Sequence, residues 1–353
     1  MKKKKVYLTL ENGKVLQGYR FGADGEAVGE LVFTTGMVGY DKTLTDPAYY
    51  GQIVVQTFPL IGNYGVIQSE LESDKAHVAA YVTREICDAP SNFRTEETLD
   101  AYLKREGIVG IYGVDTRELT IAVRESGVMN AKISSKPVSV DDFSGYAIEN
   151  AVAAVTPSTV MVYNENAATS VAFIDYGAKE SAVRLWADQG LKVIRLPAST
   201  SAEEILKLDV DGIILSEGPG NPADNTKIID EIKKLIGQKP IFAVGLGMQM
   251  LAIAMGANTQ KMSHGHRGSN QPVKYLGSGR VYVSTQNHGY EVVADSVVNG
   301  CIDFVNVNDG GVEGIVYEKE NAMSVQFSPE ACSAALEPNF LTQKFIEKLT
   351  EGK

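Results

Sequence analysis

Residues 240–255, Pro240-Ile-Phe-Ala-Val-Gly-Leu-Gly-Met-Gln-Met-Leu-Ala-Ile-Ala-Met255, have the pattern of a catalytic corner. Positions 240–244 read as a short buried strand and 247–255 as an apolar helix, with a sharp turn through Gly245 between them. Hydrolases hold a nucleophile at such a corner, because the strained turn lifts one side chain over the backbone N–H groups that open the helix. Here the corner residue is glycine, which carries no nucleophile.

The other reactive side chains are few. Three cysteines, Cys87, Cys301 and Cys332, are too scattered for a disulfide framework or a zinc site. Cys301 opens an apolar segment over 301–307 and is expected as a small core residue. The histidines are His77, His264, His266 and His288. His264 and His266 stand two apart, but no cysteine or acidic cluster accompanies them in the sequence, so no metal site is expected.

The elements that must hold the corner form an α/β pattern. In the second half, strands over 171–175, 192–196, 212–216 and 241–244 alternate with helices over 178–189, 202–208 and 226–236. Gly190 ends the first of these helices and Ser201 caps the second. Alternating βα units predict a mainly parallel central sheet with helices on both faces. Ligands bind such sheets beyond the carboxyl ends of the strands, where the turns 175–177, 217–220 and 245–247 lie. The first half reads as a separate mixed α/β domain, with strands over 5–10, 30–35 and 53–57 and a hairpin turn at Asn12-Gly13. A helix capped by Thr95 is expected through about Glu106, and another capped by Asp115 or Thr116, with Leu119, Ala122 and Val123 on its apolar face and Gly127 at its end. The Asp115-Thr-Arg117 triplet is read as a cap rather than as catalytic. The domains are expected at 1–152 and 169–353, joined by a polar linker over 153–168.

Composition excludes several functions. The 353 residues are 44% hydrophobic and 22% charged, with a formal net charge of −11 and a pI near 5.0. Nucleic-acid binding needs a basic face and is disfavoured. No apolar run has the length of a membrane span, and the basic run Lys2–Lys5 precedes no signal-peptide core. A cytoplasmic protein is expected.

Four ordered blocks carry a family resemblance. They are Leu215-Ser-Glu-Gly-Pro-Gly-Asn-Pro222, the corner at Gly245, Ser284-Thr-Gln-Asn-His-Gly-Tyr290 and Val325-Gln-Phe-Ser-Pro-Glu-Ala331. Together they resemble the signature of class I, triad-type glutamine amidotransferases. The first half adds Gly39-Tyr-Asp-Lys-Thr-Leu-Thr-Asp-Pro47, Phe58-Pro-Leu-Ile-Gly-Asn-Tyr-Gly65, Pro90-Ser-Asn-Phe-Arg94 and Gly113-Val-Asp-Thr-Arg-Glu-Leu-Thr120. Those blocks are similar to the small, glutaminase subunit of carbamoyl-phosphate synthetase. The resemblance implies glutamine hydrolysis by a thiolate, an imidazole and an orienting carboxylate, with ammonia passed to a large-subunit partner. That partner uses ATP and magnesium to make carbamoyl phosphate for pyrimidine and arginine synthesis. No cofactor is expected in this chain, which carries no P-loop.

The family pattern is broken where the chemistry should be. Gly245 stands at the nucleophile position and Ser328 at the histidine base position; Glu330 remains as the orienting carboxylate. Gly36 replaces a serine that helps hold the glutamine, and Met248 replaces a histidine. The residual pocket keeps Gly218, Gly220, Leu246, Gln249, Asn287, Gly289 and Tyr290, with the Leu246 N–H matching an oxyanion donor. Two readings of these remnants stay open: a surviving site for a small amino acid or anion, and retention for folding alone. Cys332, two positions after Glu330, is the candidate substitute nucleophile. The resemblance with its gaps implies a small subunit without glutaminase chemistry, serving a structural or regulatory role. The rivals are a stand-alone ligand-binding paralogue and an enzyme of altered chemistry.

Overall fold

The structure, a computed structural model, describes residues 4–330 and 340–350. The chain divides into two units, Met1–Ala151 and Val152–Lys353.

The described part of the first unit is built on a closed barrel. Around the barrel run Lys5–Leu10, Val15–Gly22, Val109–Tyr112, Ala80–Thr83, Gln52–Gln56, Ala27–Thr34 and Met129–Ser134, which returns to the first strand. Period-two alternation supplies its interior: Val6 and Leu8 point inward with Leu31, Ile53, Ile111 and Ile133. The first two strands pair antiparallel across Asn12-Gly13, where Gly13 takes φ 84° and Asn12 Oδ1 accepts from Lys14 N–H. Asn-Gly at this turn costs little because both residues tolerate positive φ.

Two helices show how local chemistry sets element ends. Asp115 caps Thr116–Ser126 by accepting from the Glu118 N–H at 3.0 Å. Leu119 and Val123 are buried in the barrel core and Ala122 is half-buried. Gly127, at φ 84°, follows the last turn. The earlier helix starts later than expected. Thr98, not Thr95, caps Leu99–Arg105. Residues 96 and 97 are held extended instead, by Val66 N–H to the Glu97 carbonyl (2.9 Å) and Glu96 N–H to the Val66 carbonyl (3.1 Å). Thr95 turns its hydroxyl to the Tyr64 carbonyl.

The second unit is organised by a ten-stranded sheet. Its centre is parallel: Lys192–Pro197, Ser170–Asp175, Gly212–Leu215, Ile241–Val244 and Ala322–Val325 lie side by side. Antiparallel strands continue it on both sides. Residues 153–168, expected as a linker, contribute part of the helix Ala151–Val155 and the edge strand Met161–Tyr163, paired antiparallel with Lys192–Pro197. On the other side Val312–Tyr317 and Cys301–Asn306 lead to a long hairpin of Thr259–Tyr275 and Val281–Val292. One face of the sheet is sealed by Trp186, Phe242 and Phe345; Trp186 meets both phenylalanines edge-on and the two phenylalanines are tilted, at ring separations of 5.2–5.6 Å. The other is covered by Ile205, Ile229, Ile232 and Leu251. Cys301, expected in the core, is exposed at the start of its strand, whose buried positions are Phe304 and Asn306. No helix among the described residues is long and apolar enough to cross a membrane.

Candidate active site

The corner at Gly245 has the strained geometry that its sequence announces. Gly245 takes φ 54° and ψ −115° between Ile241–Val244 and the helix Leu246–Ala254. Few L-residues adopt that conformation, and a Cβ built there would stand 3.0 Å from Glu217 Cβ. The strand Ala322–Val325 runs parallel beside the corner strand, and the Gly245 N–H donates to the Val325 carbonyl at 2.9 Å. Gln326 and Ser328 therefore emerge at the same carboxyl-end edge as the corner.

Three loops are laced together at this edge. Ser216 Oγ accepts from the Tyr176 N–H (2.8 Å) and donates to the Glu217 carbonyl (2.7 Å). The Gly247 N–H donates to the Ser216 carbonyl at 2.9 Å. Approach is so close that only glycine fits: a Cβ on Gly218 would lie 2.4 Å from the Tyr176 carbonyl oxygen, and one on Gly247 2.5 Å from that of Leu215. Leu246 packs its side chain against Gly218. Its N–H, at the positive end of the helix, makes no hydrogen bond among the described residues. Gly220 takes φ 88° on the same loop.

Lys179 reaches both Ser328 and Glu330, the positions expected for the base and its orienting carboxylate. Its ammonium donates to Ser328 Oγ at 3.0 Å and lies 2.5 Å from Glu330 Oε1. The contact with Glu330 is an ion pair rather than an aligned hydrogen bond, since neither carboxylate oxygen has a hydrogen-bond partner among the described residues. The Glu330 side chain is only 2% exposed and that of Lys179 13%, so the pair is held in a low-dielectric setting. The Lys179 N–H also donates to Glu217 Oε1 at 3.3 Å. Behind it, the turn is braced by the fully buried Asp175. Asp175 Oδ1 accepts from the N–H groups of Gly177 and Ala178 at 2.7 Å each. Its Oδ2 accepts from Arg195 Nε at 2.6 Å.

The other positions expected to line the residual pocket make the following contacts. Gln249 Nε2 donates to the Tyr290 carbonyl (2.7 Å) and to Gln326 Oε1 (2.9 Å). Met248 is fully buried. Asn287 faces Arg267 across the hairpin, and a Cβ on Gly289 would meet Arg267 Nη2 at 2.8 Å. Gly36 belongs to the first unit. Its N–H faces Thr34 Oγ1 at 3.4 Å and its carbonyl accepts from Gln56 Nε2 at 2.9 Å; a Cβ there would meet nothing closer than 3.6 Å. Cys332 lies outside the described residues.

Sequence reasoning passed over Lys179 and Glu217. The signal was present: Lys179 follows the turn 175–177, and Glu217 sits inside the quoted Leu215–Pro222 block. It also missed an acidic neighbourhood around His266. The sheet brings Asp309 and Glu313, more than forty positions away in the chain, to its two ring nitrogens at 2.9 and 3.4 Å.

A doubly wound sheet with this corner and these loops defines a class-I glutamine amidotransferase domain, and residues 172–348 match that family's model, glutamine amidotransferase class-I. Residues 8–133 match the model described as carbamoyl-phosphate synthase small chain, CPSase domain. Carbamoyl phosphate synthase small chains are similar over almost the whole chain. That of Clostridium perfringens is 42% identical over 346 residues, 97% of this chain and 99% of the relative. That of Bacillus cereus is 42% identical over 358 residues, 99% and 97%. That of Fusobacterium nucleatum is 41% identical over 357 residues, 97% of each. The chain belongs to the carbamoyl-phosphate synthase small chain family.

Proposed function

We propose that this chain is a small subunit that does not hydrolyse glutamine and that supports a carbamoyl-phosphate synthase large chain as a structural or regulatory partner in the cytoplasm. The observation that carries the reading is the ion-paired Lys179 ammonium lodged between Ser328 and Glu330. Attack on an amide needs a nucleophile, a base to take its proton and an oriented carboxylate behind the base. Gly245 supplies no nucleophile. Ser328 has no basicity near neutral pH, and its hydroxyl oxygen already accepts from a cation. Glu330, the remaining member, is committed to that cation. The large chain would then carry the ATP and magnesium chemistry and draw on free ammonia.

The unpartnered Leu246 N–H favours a second reading for the pocket, retention of a small amino-acid ligand without turnover. Isothermal titration with glutamine and with glutamate reads this directly: heat from a saturable site supports it, and none from either ligand removes it.

The test of the main reading is ammonia release from glutamine, measured for the purified chain and for the chain co-purified with a carbamoyl-phosphate synthase large chain. We expect no release above background in either case, and carbamoyl phosphate formation by the pair from ammonium salts alone. Glutamine-dependent ammonia release would overturn the reading and direct attention to Cys332. Failure of the two chains to co-purify would favour a stand-alone paralogue.

A further inference from the structure

From the geometry around His266, His288 and Glu313 we infer a binding site for a first-row divalent transition metal, zinc above all, stapling three strands of the second unit. One ligand atom from each residue lies within 4.8 Å of the others. His266 and His288 are directly opposite in the long hairpin, with rings edge to face at 5.0 Å. Glu313 comes from Val312–Tyr317. His266 Nδ1 is 3.4 Å from Glu313 Oε1. That separation is close to the ~3.3 Å edge of a tetrahedron with metal–ligand bonds of about 2.0–2.1 Å.

Two independent features point to a missing cation. The first is Glu313, only 1% exposed. Its Oε1 accepts from Asn306 Nδ2 at 3.1 Å, while Oε2 is buried with no partner in hydrogen-bond geometry among the described residues.

The second is His288. Its Nδ1 is 2.9 Å from the Tyr290 carbonyl oxygen and its Nε2 is 3.1 Å from Gln286 Oε1. The orientation of the Gln286 amide follows from its Nε2, which donates to Ser284 Oγ at 3.1 Å. Both ring nitrogens thus face acceptors. A neutral imidazole has one proton and can serve only one of them. Whichever tautomer forms, one nitrogen lone pair confronts an oxygen lone pair. A metal ion at that nitrogen removes the conflict.

The surroundings match those of metal-binding histidines, whose second nitrogen characteristically donates to a carboxylate or a carbonyl. His266 Nε2 faces Asp309 Oδ2 at 2.9 Å. His288 Nδ1 has the Tyr290 carbonyl. With those two nitrogens as N–H donors, His266 Nδ1, which also has the Asn306 amide Nδ2 at 3.3 Å, His288 Nε2 and a Glu313 oxygen offer a ligand set, with Gln286 Oε1 or a water as the fourth. Two imidazoles and one carboxylate suit zinc, nickel or copper rather than magnesium or calcium. The Tyr290 carbonyl also accepts from Gln249, so the staple would brace the wall of the residual pocket.

The full chain, stripped with chelator and dialysed against zinc and then metal-free buffer, should retain one zinc per chain by native mass spectrometry, and its thermal midpoint should rise. His264→Ala, at a half-buried neighbour, should keep the metal. Glu313→Gln should lose it, and Asp309→Asn should weaken binding ~10-fold or more. Absence of stoichiometric zinc in the unaltered chain overturns the proposal, as does zinc that survives Glu313→Gln but not His264→Ala. Should Glu313→Gln fail to fold, anomalous scattering at the zinc edge from crystals of the unaltered chain decides: a peak between His266, His288 and Glu313 supports the site, and a peak elsewhere or none overturns it.

Discussion

Lys179 Nζ sits 3.0 Å from Ser328 Oγ, and the same ammonium neutralises Glu330 at 2.5 Å. A cation thus occupies the neighbourhood that a catalytic imidazole would need. Removing it should be costly, because Glu330 is almost fully buried. Lys179→Met is expected to destabilise the chain by about 3–5 kcal/mol, the usual cost of stripping one partner from a buried pair. Lys179→Met with Glu330→Gln should recover much of that loss, since the double variant buries no charge. Urea denaturation of both variants checks this; equal losses would show that Lys179 acts through packing alone.

Restoring the missing side chains should restore chemistry only in combination. Gly245→Cys alone should give no glutaminase activity, since the thiol would keep a pKa near 8.5 with no imidazole beside it. Adding Ser328→His supplies a base in front of Glu330, and the double variant should form a thioester with glutamine that mass spectrometry can trap. Lys179 competes for the same carboxylate, so Lys179→Met in that background should raise the rate further. A folded double variant with no covalent intermediate would show that the pocket has diverged beyond these positions.

The corner and Gly36 should differ sharply in tolerance. Gly245→Ala places a Cβ at φ 54° and 3.0 Å from Glu217 Cβ, and is expected to cost about 1–3 kcal/mol. Gly36→Ala meets only ordinary contacts at 3.6 Å and beyond and should change stability by less than ~0.5 kcal/mol. Thermal or urea unfolding separates the two; similar losses would mean that the corner is not strained.

Asp303 should make the second unit pH-sensitive. Burial raises its carboxyl from an ordinary 3.8 to about 7, against the opposing pull of Lys344, and its Oδ1 has no hydrogen-bond partner among the described residues. The fold therefore prefers the neutral acid. Its stabilising contribution is complete below about pH 3.8 and is lost as pH rises towards 7. Asp303→Asn keeps the neutral shape at every pH. Its thermal midpoint should exceed that of the unaltered chain by a few degrees at pH 8, and the gap should close towards pH 4.5. A gap independent of pH would show that Asp303 is ionised throughout.

Much of this protein is written locally. The alternation of Val6, Leu8 and Leu10, the Asn12-Gly13 turn, the Asp115 cap and the βα rhythm after residue 170 each depend on neighbours a few positions away. Period and capping therefore place those elements within a residue or two. The glycine at 245 and the serine at 328 are visible for the same reason, since a residue type is present or absent without reference to the fold. Thr98 displaced Thr95 as a helix cap because Val66, thirty positions away, pairs with Glu97. Lys179 meets Ser328 across 149 positions, and His266, His288 and Glu313 meet only when three strands align. Such encounters are set by sheet register and loop packing, which no local period encodes. The sequence alone determined the architecture and the residue types at positions 245, 328 and 330. Tertiary structure decided what surrounds them, because a buried charge or lone pair finds its partner through the packing of the whole sheet.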